Sequence, residues 1–220
     1  MTNGSAARVA PMARPVRSSA DRAAAEAEQR SRILSAMLEC IEELGYNATT
    51  MNDVAAHAHA SKSVVYAHFQ NKLDCFLALY ELVTFVELKV VAAAEVRAVE
   101  DGLGWQGRVR AMSLEFLALL ARAPGMTTAV LLELPAAGPS ALARRRVTMD
   151  LYLDALSAVA EDMAGSYPDE VRRVERSWML AAIGGVNELV LEHIERWGPA
   201  TVADVVDDVS RVFVELLERR

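Results

Sequence analysis

Thr50, Ser61, Lys62, Ser63, Val64, Tyr66, His68 and Lys72 crowd hydroxyls, cations and small apolar groups into one short run of the chain. Such a set suits a nucleic-acid duplex. A lysine near a helix start can donate to guanine, a small apolar side chain can meet a thymine methyl, and hydroxyls and helix N-termini can hold phosphate oxygens. On this reading Lys62 suits guanine and Val64 or Ala67 a thymine methyl, with Ser63 beside them at the base edges. Thr50, Ser61, Tyr66 and Lys72 would hold the phosphate backbone. His68 reads as a packing or hydrogen-bonding residue beneath the same helix.

Other chemistry is weaker. His57, His59 and His68 are close in sequence but do not match a metal-ligand spacing, so no metal site is expected. Cys40 and Cys75 lack CxxC spacing and read as packing residues, with redox sensing by this pair as an alternative. The chain has no HExxH, no G-x-S-x-G and no P-loop, and its carboxylates, such as Asp204, Asp207 and Asp208, spread along solvent faces. An enzyme is therefore not expected, an all-helical one without a recognised motif being the alternative, and no cofactor is called for.

The elements that must position these residues follow from composition and periodicity. Of 220 residues 53% are apolar but only 6% aromatic, with 11 Gly and 7 Pro, a balance that favours helices over strands. The expected fold is all-α. Residues 1–20 carry Arg8, Arg14 and Arg17 without an acid and read as a disordered basic arm. Residues 21–72 hold the polar run, and residues 73–220 are long, apolar helical segments. No stretch approaches the roughly 18 apolar residues of a membrane span, and no signal peptide is apparent, so a cytoplasmic protein without membrane contact is expected.

Within residues 21–72, Ile33, Met37, Cys40, Ile41 and Leu44 recur at helical spacing and stop at Gly45. Thr50 with Asp53 opens a short second helix, Ser61 caps a third with Val65 and Phe69 on one face, and Asn71 caps a longer fourth. Two short helices joined by a tight turn, flanked by further helices, have the layout of a helix-turn-helix unit. The reading helix must bury one side and present the other to a major groove about 12 Å wide, and Val65 and Phe69 are the natural buried side.

Residues 30–81 resemble the N-terminal domain of TetR-family transcriptional regulators. The resemblance rests on Gly45-Tyr46, Thr49-Thr50, Asp53-Val54-Ala55, Ser61, Tyr66-Ala67-His68-Phe69 and Lys72. It departs at His59, where the family usually has Gly in the turn, and at Val64, where a Thr is more common. Such a resemblance implies a regulator of transcription, most often a repressor, that binds double-stranded operator DNA and is released by a small-molecule effector. It also implies a homodimer held by a four-helix bundle from the last two helices of each chain.

Beyond residue 72 the patterning gives helices at 72–99, 105–123, 126–134, 140–164 and 169–197, and a last one capped by Thr201. The last carries the stripe Val202, Val205, Val209, Phe213 and Leu216. Ala181, Ala182, Gly184 and Gly185 in the penultimate helix allow close helix approach. Met112, Phe116, Leu119, Leu131, Met149, Tyr152, Trp178 and Met179 are candidate lining of an apolar effector pocket, with Asn187, Glu188 or Glu133 orienting a polar group. The net charge of −7 divides into +1 through Lys72 and −8 beyond it, a near-neutral head on an acidic body. Specific contacts must then outweigh a weak non-specific attraction to DNA.

Overall fold

A computed structural model describes residues 19–219. The expected basic arm lies outside the described residues except for Ser19 and Ala20, which open the first helix. Nine α-helices make up the described residues: α1 (Ser19–Leu44), α2 (Met51–His57), α3 (Lys62–His68), α4 (Lys72–Glu100), α5 (Trp105–Arg122), α6 (Pro124–Thr128), α7 (Pro139–Ser166), α8 (Arg176–Trp197) and α9 (Val206–Leu217). The all-α expectation holds.

Local signals explain the first third. α1 stops where Gly45 takes φ 78°, a conformation that glycine reaches without a Cβ clash. α4 starts at Asn71, whose side chain accepts from the Asp74 amide at 2.9 Å. The core beneath these helices contains Ile33, Met37 and Ile41 of α1, Val54, Val65 and Phe69, and it extends into Phe76 and Leu79 of α4 and Met126 of α6. Two further clusters fill the larger part of the molecule. One packs Trp105, Val109, Leu153, Met163, Met179 and Leu217, and the other joins Leu117 to Val186, Val190, Val202, Val206 and Val209.

Three helix boundaries differ from expectation. Pro124-Gly125 opens α6 rather than only breaking α5, because a proline in the first turn loses no hydrogen bond; the segment then continues as a π-turn at Ala129–Glu133 and a 3₁₀ turn at Leu134–Ala136. α8 starts at Arg176, not near residue 169. The preceding segment is drawn out by the C-terminus: the Arg172 amide donates to Leu217 O at 2.8 Å, the Arg219 amide donates to Glu170 O at 2.7 Å, and Val171 is buried between them. Finally, Thr201 does not cap α9. It sits inside a 3₁₀ stretch, Pro199–Val205, where its hydroxyl meets buried His193 Nε2 at 2.9 Å.

Buried charge ties the long helices together. Arg108 of α5, 4% exposed, donates through Nε to Glu95 of α4 at 2.8 Å and through a terminal nitrogen to Asp162 of α7 at 2.7 Å. These carboxylates hold the guanidinium pKa above its ordinary value.

Candidate nucleic-acid interface and internal cavity

Thr50 and Asp53 satisfy each other at the start of α2. The Asp53 amide donates to Thr50 Oγ1 at 3.3 Å, and the Thr50 amide donates back to Asp53 Oδ2 at 2.9 Å. The Thr50 hydroxyl also donates to Asp53 Oδ2 at 2.6 Å, and this bond, with that from the Thr50 amide, favours the ionised form and holds the Asp53 carboxyl below its usual pKa. α2 ends in a turn where His59 has φ 49°, the left-handed conformation that glycine adopts more freely. Ser61 then caps α3, accepting from the Val64 amide at 3.4 Å. His57 is held by Asp53 O at 3.0 Å and Glu43 Oε2 at 3.2 Å, which raise its pKa. Among the described residues no group of three His, Cys, Asp or Glu side chains is placed to hold a metal ion.

α3 has two unlike sides. Val65 and Phe69 are buried against α1 and α2, while Lys62, Ser63, Tyr66 and Ala67 face solvent and Val64 is half-buried. Lys62 and the Tyr66 hydroxyl have no hydrogen-bond or ion-pair partner among the described residues, and Tyr66 is 51% exposed. The helix therefore offers an ammonium, hydroxyls and small apolar groups on one open ridge. His68 turns the other way, with Nε2 3.0 Å from Gln29 Oε1 of α1.

Lys72 has an inward role that its sequence position did not disclose. Its Nζ donates to Tyr46 O at 2.9 Å and Asn47 O at 3.2 Å and lies 4.4 Å from the centre of the Tyr46 ring. Partial burial pulls its pKa below the ordinary lysine value. Lys72 thus pins the loop leading to α2, with one N–H left to donate elsewhere.

A cavity of about 790 Å³ runs between α1, α4, α5, α7, α8 and α9. Met112, Phe116, Leu119 and Leu131 line it, as do Met149, Tyr152, Met179 and Asn187, all singled out in sequence. Trp178 does not. It lies on the outer side of α8 at 63% exposure, one position from inward-facing Met179. Glu133 also lies elsewhere, its Oε1 accepting from Asn47 Nδ2 at 2.7 Å, while Glu188 lines the cavity from an exposed position.

Sequence reading missed the cavity's deepest acid. Glu87 of α4 is 9% exposed and accepts a hydrogen bond from the Tyr152 hydroxyl. Burial pushes its carboxyl up to about 7, opposed only in part by that bond. The signal was present: Glu87 shares a helical face with Tyr80, Thr84, Val91 and Ala94, and a lone acid on an otherwise apolar face calls for a partner.

The head and the cavity meet at α6. Glu42 of α1 accepts from the amides of Gly125 at 2.9 Å and Met126 at 2.8 Å, the first amides of α6 and therefore otherwise without helical partners. Gly125 permits this approach, since a Cβ there would stand 2.8 Å from Ile41 O. Met126 and Leu131, from the same segment, line the cavity.

On the opposite flank, α8 exposes Trp178, Leu180, Ala181, Gly184 and Gly185, and a Cβ added at either glycine would meet nothing within 4 Å. The α9 stripe behaves differently from its expected pairing role. Val202 and Val209 close the core of their own chain, and Phe213 lines the cavity. Cys40 and Cys75 are both fully buried, which pushes their thiols up to about 11 and about 12 and leaves little thiolate for oxidation.

Residues 33–79 match the family model described as bacterial regulatory proteins, tetR family. Among characterised proteins, the transcriptional activator FasR of Mycolicibacterium smegmatis is 39% identical over 54 residues, 24% of this chain and 25% of FasR, so the match spans about a quarter of that relative's length. The whole fold is similar to that of the fatty acid degradation regulator FadR from Bacillus halodurans, with TM-score 0.71 and 15% identity over 84% of this chain and 94% of that one. It is also similar to the transcriptional regulator FadR from Bacillus subtilis, solved in complex with stearoyl-CoA, with TM-score 0.65 and 15% identity over 84% and 97% of the two chains. The match over residues 33–79 and the fold shared along most of its length make this chain similar to the TetR-type bacterial regulatory proteins.

Proposed function

We propose that this chain is a sequence-specific DNA-binding transcriptional regulator, working as a homodimer that represses by occupying its operator and releases it when a small, mostly apolar effector fills the cavity. The observation that carries the reading is the two-sided α3. Val65 and Phe69 lock the helix in place, and the ammonium of Lys62 and the hydroxyl of Tyr66 are left without protein partners on the outward ridge. In a major groove Lys62, Ser63 and Val64 would meet base edges, and Tyr66, with the caps at Thr50 and Ser61, would meet phosphates. The remaining N–H of Lys72 would reach the backbone beside the loop it pins.

Two heads reading one two-fold operator must sit about 34–36 Å apart. The open Ala181, Gly184 and Gly185 face of α8 supports pairing of two chains there, since small residues let helix backbones approach closely. The cavity's size and apolar wall support an effector with a long apolar portion. The complex of Bacillus subtilis FadR with stearoyl-CoA supports the same class of ligand.

Coupling runs through the Glu42 clamp on α6. An effector that presses on Met126 and Leu131 works against the two hydrogen bonds to α1, and α1 carries the head. Only differential affinity shifts such an equilibrium: an effector equally good for both arrangements would release nothing. The test is a footprint on the DNA upstream of the protein's own gene, with and without long-chain alcohols, amines and acyl thioesters, paired with a reporter driven by the same DNA. Protection lost on adding one ligand class, with the reporter rising, is the expected result. No protected sequence in that region or in a genome-wide selection would overturn the reading.

A further inference from the structure

We propose that Glu87 and Tyr152 form a polar recognition site in the cavity wall, which takes a hydrogen-bond donor, a hydroxyl or an amine, carried on an otherwise apolar effector. The proposal rests on the reading of this cavity as the effector site. Both residues line it, and the Tyr152 hydroxyl donates to Glu87 Oε2. The second carboxyl oxygen, Oε1, has no hydrogen-bond partner, and no cation pairs with Glu87 among the described residues. One turn earlier, the hydroxyl of Thr84, 1% exposed, also lacks a partner.

A buried acid with an open oxygen is costly to keep unless something completes it. Of the other polar side chains of the wall, Asn187 is half-buried on α8, and several more are engaged or peripheral. The hydroxyls of Ser113 and Thr127 donate to carbonyls at 2.9 and 3.0 Å, and Arg122 and Glu188 are exposed. An entering hydroxyl or amine would give Glu87 its second hydrogen bond in a medium where such bonds are strong. Once Glu87 has given up its proton an entering carboxylate would meet like charge there, although half-buried Arg145 of α7, also in the wall, would pull the ranking the other way. The order of donor and carboxylate ligands therefore discriminates which group governs the site.

The test is calorimetric titration of the full chain with dodecanol, dodecylamine, dodecyl methyl ether and dodecanoate. Dodecanol and dodecylamine are expected to bind about tenfold more tightly than the ether, with dodecanoate weakest. Glu87→Leu should bring dodecanol and the ether within about twofold of each other, and Glu87→Gln, which keeps an acceptor oxygen, should retain the preference for dodecanol. Equal binding of alcohol and ether by the native chain, or a preference that survives Glu87→Leu, overturns the recognition site and leaves the effector cavity standing. Failure of all four to bind overturns both.

Discussion

Glu42 in α1 holds the amide of Gly125 in α6 at 2.9 Å, so one carboxylate joins the helix that carries the head to the helix that walls the cavity. Gly125→Ala places a Cβ against Ile41 O and must push α1 and α6 apart, which should cost about 1–3 kcal/mol of stability, read as a lower urea midpoint. Glu42→Ala removes both amide contacts. It should leave operator binding and effector binding measurable while blunting effector-driven release, and unchanged release in gel-shift titrations would exclude this clamp as the coupling element.

The ridge on α3 separates positioning from reading. Tyr66→Phe should weaken binding to all DNA sequences alike, whereas Lys62→Ala should relax preference at one base pair by about 1–3 kcal/mol. Lys72→Ala should lower the slope of log affinity against log salt by about one unit. Because Lys72 also holds Tyr46 O and Asn47 O, the same change should lower thermal stability, a loss that Tyr66→Phe does not share. Competition binding against scrambled duplexes at several salt concentrations reads all three.

Glu87 links the cavity to pH. Its carboxyl, ordinarily near 4.5, is pushed up to about 7 in the folded protein, so between those values the native state keeps a proton that the unfolded chain releases. The stabilising contribution is complete below the unfolded value and is lost as pH rises through about 7, on the order of 3 kcal/mol in all. Glu87→Gln cannot titrate and should flatten this part of the profile. Thermal melts at about pH 5 and about pH 8 should show a smaller difference for the variant than for the native chain, and equal differences would count against the burial of this acid.

The open face of α8 predicts the assembly state. Gly185→Arg adds a long charged side chain at an exposed position where a Cβ would meet nothing within 4 Å, so the fold should be unaffected. If two chains pair there, the variant should elute as a monomer at micromolar concentration and lose cooperative operator binding. A variant that still elutes with the native chain would move the interface elsewhere.

The head could be read from sequence because its signals are short-range. Thr50, Ser61 and Asn71 each cap the helix that starts beside them, Gly45 ends α1, and Val65 with Phe69 declares the buried side of α3 within a single turn. The left-handed turn at His59 was signalled only by the resemblance, in which a Gly usually occupies that position. The larger part of the chain resisted because α4 is apolar on most of its circumference, and such a helix does not reveal from its own residues which side faces which neighbour. Only the packing of α4 against α5 and α7 turned Glu87 toward Tyr152 and Glu95 toward Arg108, and only the seating of α8 turned Met179 into the cavity and Trp178 out of it. The start of α8 depended likewise on contacts distant in sequence, since Val171 is drawn out by the chain's own C-terminus. Helix starts and stops were decided by neighbours along the chain, whereas the partners of buried polar groups were decided by which helices the whole core brought together.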